Sequence, residues 1–453
     1  MSIFRHSLLK KLGKSIERGS SPLRWIDLYS AKFISDCFDL SSDQDGDSLD
    51  ADEIQKLQHD IIALSVLVSF VSGRGDTYLD LSKLPKEVQI SFKLIDPSLL
   101  YDPRDQHQST VLHHLHRSSA IRIVSHEEGD YFPLEGDREI KEPLVLWKGR
   151  LYLARYWNLH QCLEAWLQKQ VLINRGLNQQ VASKLASRLK QVFQLPEAVN
   201  EPAGRDGINW QAVAAAHTLL QNFSLITGGP GTGKTTTAAS LLFLLMQRHQ
   251  FEQKILASDT SYSAQRPAPG KRLSVRLLAP TGKAAVKLAD SIRHRLVEIE
   301  ARLLAGDLTS IRMSDCLPET GETIHRFLYQ NGALRETLNQ QSRFNSDEVL
   351  LGKSESRKAQ VDIVVIDEAS MIDLALMVEL IQVIPESAQV IMLGDHFQLP
   401  AVEPGQVFGE FVARYTSKNY DKHFSEQLSK LTGFNQQALI DQNLLCGQSS
   451  DYK

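Results

Sequence analysis

Cysteine is scarce in this sequence. Four occur in 453 residues (Cys37, Cys162, Cys316 and Cys446), far apart and with no CxxC pair. That scarcity excludes a disulfide framework and a structural zinc site, and it fits a reducing, cytoplasmic compartment. Long apolar runs are lacking too. The longest, IIALSVLVSFV over Ile61–Val71, falls well short of the ~18 to 20 residues of a membrane span and reads as a buried helix. The basic N-terminal stretch MSIFRHSLLKKLGKSIERGS leads into no apolar segment and no small-residue cleavage site, so no signal peptide is read. Positive charge is not in excess: 50 Lys and Arg stand against 54 Asp and Glu, a net charge of −4. A general electrostatic coating for nucleic acid is thereby excluded, though a local groove is not. There are no internal repeats.

What is present is an ordinary globular composition, 42% hydrophobic and 23% charged, in a chain long enough for two or three domains. Residues 1–195 read as mostly helical. WIDLYSAKFISDCF and EIQKLQHDIIALSVLVSFV place apolar residues at three- and four-residue steps. PLVLWKGRLYLARYW (Pro143–Trp157) interrupts them with a hairpin signal around Lys148–Arg150. A Pro-, Gly- and charge-rich linker over 196–207 follows, and then 208–453 changes to strand–helix alternation. Apolar runs at 224–227, 275–280, 362–369 and 389–395 predict a parallel sheet covered on both faces, an α/β fold.

Gly228–Thr235 matches G-x-x-x-x-G-K-S/T in full, between a strand and a helix start. Glycine-rich backbone at Gly228, Gly229, Pro230, Gly231, Thr232 and Gly233 can turn its N–H groups inward around phosphates. Lys234 would reach the β- and γ-phosphates and Thr235, with Thr236 beside it, would carry a hydroxyl to Mg²⁺. ATP and Mg²⁺ are the expected ligands. VVIDEAS then supplies a strand ending in two acids: Asp367 to hold the metal through water, Glu368 to polarise the attacking water. Asp43, Asp45 and Asp47 imitate a calcium loop, but Ser48 and Ile54 occupy the places of its glycine and final acid. The histidines at 107, 113, 114 and 116 have no Cys or acid at ligand spacing.

Three further stretches narrow the machine. LAPTGKAAVKLADSI offers Thr281, Gly282 and Lys283 at a strand-to-helix turn. TIHRFL offers Thr323 and His325 for the backbone of single-stranded nucleic acid, and LGDHFQLPAVEPG places Gln398 where it could sense a γ-phosphate. In this order the stretches resemble motifs I, Ia, Ib, II and III of superfamily 1 helicases. With NWQAVAAA upstream, the string is most similar to the RecD family, the alpha subunits of the RecBCD enzyme, exodeoxyribonuclease V.

The resemblance implies a RecA-like ATPase domain, with Gln211 reading adenine. It implies a motor moving 5′ to 3′ on single-stranded DNA at a duplex end, with RecB-like and RecC-like partners, in double-strand break repair. The N-terminal region would dock on the RecC-like partner, and no nuclease site is seen. Nothing after Gln398 resembles motifs IV, V or VI. The expectation is therefore a truncated chain in which the second RecA-like domain is missing, weakly active alone. Two other readings stand beside it: a stand-alone superfamily 1 helicase, which usually carries helix–hairpin–helix repeats not seen here, and a non-catalytic docking subunit.

Overall fold

The computed structural model describes residues 6–19, 21–37, 51–81, 119–124, 142–173, 175–195, 208–258, 272–303, 316–331, 358–398, 403–416 and 422–440. The linker at 196–207, the acidic loop with Asp43, the histidines at 107–116 and Cys446 lie outside these residues. The chain divides into two compact units. The first comprises Met1–Ala165 with Asp373–Ala375 and Ala401–Gly405, and the second comprises the rest.

In the first unit the helices Ser7–Glu17, Trp25–Cys37 and Ala51–Ser72 pack on a four-stranded sheet. Its strands are β1 (Tyr78–Asp80), β2 (Ile121–Ile123), β3 (Leu144–Trp147) and β4 (Arg150–Leu153), in the order β1-β4-β3-β2. The expected hairpin is β3–β4, with Trp147 opposite Arg150. Lys148 and Gly149 form its two-residue loop, both at positive φ (48° and 71°), the turn whose twist matches that of paired strands. Two further strands, not foreseen in the sequence, extend the hairpin on either side. Each is three residues long, too short for a visible alternation.

The apolar run at 61–71 is indeed a buried helix, but the helix is longer than that run. Ile54–Ser72 is long and apolar enough to cross a membrane, so the sequence-based count fell short. Two-thirds of that span (67%) is buried inside the unit, where Ile61, Ile62, Leu64 and Val68 join Leu12 and Leu28 in one core. Asp27, fully buried, accepts from Arg24 and from the Ser69 hydroxyl (2.9 Å), tying the second helix to the third.

The second unit is a RecA-like α/β domain. β5 (Phe223–Thr227), β6 (Val275–Ala279), β7 (Glu322–Thr323), β8 (Ile363–Ile366) and β9 (Gln389–Gly394) form one all-parallel sheet in the order β5-β9-β8-β6-β7. Four of the strands fall on the predicted runs. The central pair, IVVI and QVIMLG, is buried at every position, as a sheet covered on both faces requires. The helix Lys234–Ser258 that follows β5 buries Ala238, Ala239 and the whole run Leu241–Met246.

The end of the helix Ala154–Leu172, from Trp166, and the helix Gln179–Phe193, read from the sequence as part of the N-terminal region, belong to this second unit. Val181, Leu185, Leu189 and Val192 enter its core beside Leu219 and Phe243. Polar bonds pin the same segment: Arg175 Nε donates to buried Asn222 (2.6 Å), and Asn222 in turn donates to Gln170 and to Ala388 O (3.1 Å). These partners are 47 to 166 residues apart in sequence, so spacing along the chain does not reveal them.

Candidate functional site

Parallel strands in one sheet all end on the same edge, and here that edge gathers the residues singled out in the sequence. The P-loop leaves the end of β5 and closes on the helix at Lys234. Gly231 and Gly233 hold φ of 76° and 84°, the left-handed region where a side chain is strained. Gly228 has a second reason to be glycine: a Cβ there would lie 2.7 Å from Thr232 Oγ1. Thr232 Oγ1 donates to Gly229 O (2.9 Å), and Thr237 bonds Gly233 O through both its N–H (2.8 Å) and its hydroxyl (3.0 Å). Lys234 Nζ folds over the loop and donates to the carbonyls of Gly228 and Gly229. Thr235, half-buried, and Thr236, exposed, occupy the first turn of the helix, and Pro230 is exposed at the loop tip.

Gln211 belongs to this loop as well. It sits at the start of the helix Trp210–Leu220, which Asn209 caps through its side chain to Ala212 N (3.0 Å). Its amide donates to Thr232 O at 3.1 Å.

β8 delivers the acids. Asp367 N donates to Leu278 O (2.9 Å), extending the β6–β8 ladder, and Asp367 Oδ1 accepts the Glu368 N–H (2.9 Å). Glu368 is left-handed, with φ 52° and ψ 41°, an uncommon conformation for a residue with a side chain and one that clusters at functional sites. Burial pushes the Asp367 carboxyl up from its ordinary range, with the Glu368 N–H, Lys234 and Lys287 pulling the other way. Burial also raises Glu368, helped by the neighbouring charges of Asp367 and Asp395 and opposed by Lys234 and Lys287. The P-loop lysine and both acids therefore share one electrostatic site. Lys287 was not among the residues read from the sequence. It lies one turn beyond Lys283 on the helix Gly282–Leu303, a spacing that marks a shared face but not the acids it reaches. A hydroxyl at Thr235 and the carboxylate of Asp367 are hard oxygen donors, the type Mg²⁺ takes.

Thr281, Gly282, Lys283, Thr323 and His325 stand at the other end of the same edge. Thr281 Oγ1 accepts from Ala284 N (3.3 Å) and Thr323 Oγ1 from Arg326 N (3.2 Å), so each threonine caps the helix it precedes. Ala279 is opposite Thr323 in the β6–β7 register, and a Cβ on Gly282 would touch Thr323 Cγ2 at 3.9 Å. The two turns thus adjoin, with Lys283 and His325 exposed beside them. Gln398, also exposed, follows β9, the strand paired with β5.

Comparison with known proteins gives one family match: an AAA domain over residues 210–404, which takes in the P-loop and the acids. Among curated proteins, the chain is 30% identical over 292 residues to the RecBCD enzyme subunit RecD of Haemophilus influenzae, covering 64% of this chain and 38% of that one. It is 33% identical over 271 residues to RecD of Mycobacterium tuberculosis, covering 59% and 37%. It is also 28% identical over 233 residues to the ATP-dependent RecD2 DNA helicase of Deinococcus radiodurans, covering 49% and 23%. The matched part spans less than half the length of these relatives.

Proposed function

We propose that this chain, RecD-like and of the superfamily 1 helicase type, hydrolyses ATP to move 5′ to 3′ on single-stranded DNA as a subunit of a RecBCD-type complex. The observation that carries the reading is the convergence at one sheet edge: a full P-loop with the two acids of β8, and beside them two adjoining threonine-capped turns.

In this reading Gly228–Thr236 cradle the triphosphate. Lys234 leaves the loop carbonyls for the β- and γ-phosphates, and Gln211 reads the adenine. Thr235 and Asp367 would hold Mg²⁺, which when bound neutralises charge on the phosphates. Glu368 orients the attacking water and takes its proton as the γ-phosphorus–oxygen bond to ADP breaks. Gln398 senses the γ-phosphate from the end of β9. Thr281, Gly282, Lys283, Thr323 and His325 contact the phosphates of the strand, a sequence-independent grip suited to a translocating motor. The partners are RecB-like and RecC-like subunits, with the N-terminal region up to residue 165 docking on the RecC-like one. The setting is double-strand break repair in the cytoplasm.

The test is single-strand-stimulated ATP hydrolysis by the chain co-purified with its partner subunits. Lys234→Ala is expected to lower the rate by about 10²- to 10³-fold, the loss typical of one preorganised charge-stabilising donor. Displacement of a strand only from substrates with a free 5′ tail checks the direction. If Lys234→Ala leaves both hydrolysis and function in cells unaltered, the chain is a docking subunit and the motor reading fails.

A further inference from the structure

The turn that carries Gln398 is fastened to the phosphate-binding loop by a side chain outside the set assigned above. Thr227 closes β5 immediately before Gly228 and stands opposite Gly394 in the parallel register. Gly228 N donates to Gly394 O at 3.2 Å, the last main-chain link between the two strands. Beyond it the chain turns sharply. Asp395, 2% exposed, builds the turn: its Oδ1 accepts from Phe397 N (3.0 Å) and its carbonyl from Gln398 N (3.1 Å). Within this turn His396 Nδ1 lies 2.7 Å from Thr227 Oγ1. A hydroxyl both donates and accepts, so this bond forms with either neutral tautomer of the ring. The Phe397 ring backs the imidazole, with ring centroids 3.9 Å apart.

The physical consequence concerns orientation. Main-chain bonds between β5 and β9 fix the separation of the strands but leave the pitch of the exposed turn beyond them free. A second attachment from the turn's own side chain removes that freedom. It sits two residues before Gln398 and one residue before the P-loop, so a displacement at either end reaches the other through one bond.

We propose that His396 is a positioning residue: its bond to Thr227 sets the angle of the Asp395–Gln398 turn and so aims the Gln398 amide at the phosphate loop. The inference rests on the ATP-hydrolysing reading of the site. It predicts that the bond acts on the rate of hydrolysis and not on nucleotide affinity, because neither His396 nor Thr227 is among the groups that hold the phosphates.

The experiment compares His396→Ala, His396→Asn, Thr227→Val and the His396→Ala/Thr227→Val double variant in the co-purified complex. It reads kcat, ATP affinity and melting temperature for each. Loss of one exposed hydrogen bond that matters only for orientation is expected to lower kcat by about 3- to 10-fold, with affinity and melting temperature unchanged. Asn, whose amide nitrogen can occupy the place of Nδ1, is expected to restore most of the rate. The double variant is expected to be no slower than either single one, since both remove the same bond. Unchanged kcat in His396→Ala, no restoration by Asn, or multiplied losses in the double variant overturn the positioning role alone. A wild-type complex with no Lys234-dependent hydrolysis overturns the ATPase reading, and the positioning role falls with it.

Discussion

Gly233→Ala measures how the helix bearing Gln211 supports the phosphate loop. At φ 84° an alanine side chain is strained, at about 1 to 2 kcal/mol for an L-residue in the left-handed region. A Cβ there would also lie 2.5 Å from the Gln211 amide nitrogen, so that side chain must move. Moving it breaks the bond from Gln211 to Thr232 O (3.1 Å), worth a further ~0.5 to 1.5 kcal/mol. The two costs together, about 1.5 to 3.5 kcal/mol, weaken nucleotide binding by about 10- to 300-fold, at 1.4 kcal/mol per tenfold. Gly231→Ala is the internal control. Its φ of 76° carries the same backbone strain, but no atom lies within 4 Å of the new Cβ, so a loss of about 5- to 30-fold is expected. Titration with a fluorescent ATP analogue separates the two variants, and adding Gln211→Ala removes the clash. In that background Gly233→Ala and Gly231→Ala are expected to weaken binding equally. If Gly233→Ala binds no more weakly than Gly231→Ala in the wild-type background, Gln211 does not buttress the loop and the argument fails.

Other consequences concern stability. His160, bonded to Thr77 Oγ1 (2.9 Å), and His217, packed on Phe424, are each held neutral by burial, with pKa lowered from 6.5 to about 4. The unfolded chain therefore binds protons that the folded chain refuses between these values. Stability is complete above pH 6.5 and falls as pH drops towards 4, by about 3 kcal/mol per histidine. Denaturant midpoints across pH 4 to 7 check this, and His217→Phe is expected to flatten the slope. Asp27→Ala removes the fully buried acceptor of Arg24 and Ser69 and is expected to cost about 3 kcal/mol, read as a lower melting temperature of the first unit. Gly321→Ala places a Cβ 2.0 Å from Ala285 O, a backbone atom that cannot step aside. It is expected to part the Thr281 and Thr323 turns and weaken single-stranded DNA binding while leaving ATP affinity intact, which a paired titration of the two ligands would show.

Much of the second unit is legible along the chain because its information is local. An apolar run of four to six residues ending in a glycine turn or an acid pair states both the strand and its functional end, as at Thr227–Thr235 and Ile366–Glu368. The first unit is less legible. β1 and β2 are stabilised by the edges they join, with Leu79 opposite Leu151 and Arg122 opposite Val145, and three residues carry too little periodicity to announce a strand. Helical periodicity over 179–193 is plain, yet it does not say which core that face enters.

By itself the sequence determined the glycine-rich loop with its lysine, the acid pair and the strands that present them, because each depends on residue type at short spacing. Only the tertiary structure decided that the segment from 166 to 193 belongs with the five-stranded sheet, that the charge of Lys287 acts on the acids, that Gln211 braces Thr232 and that His396 holds Thr227. The residue pairs among them lie 21 to 169 positions apart in the chain. They arise from strand order, in which β9 lies beside β5 and β8 beside β6, and strand order is set by the packing of whole elements, not by neighbours in sequence.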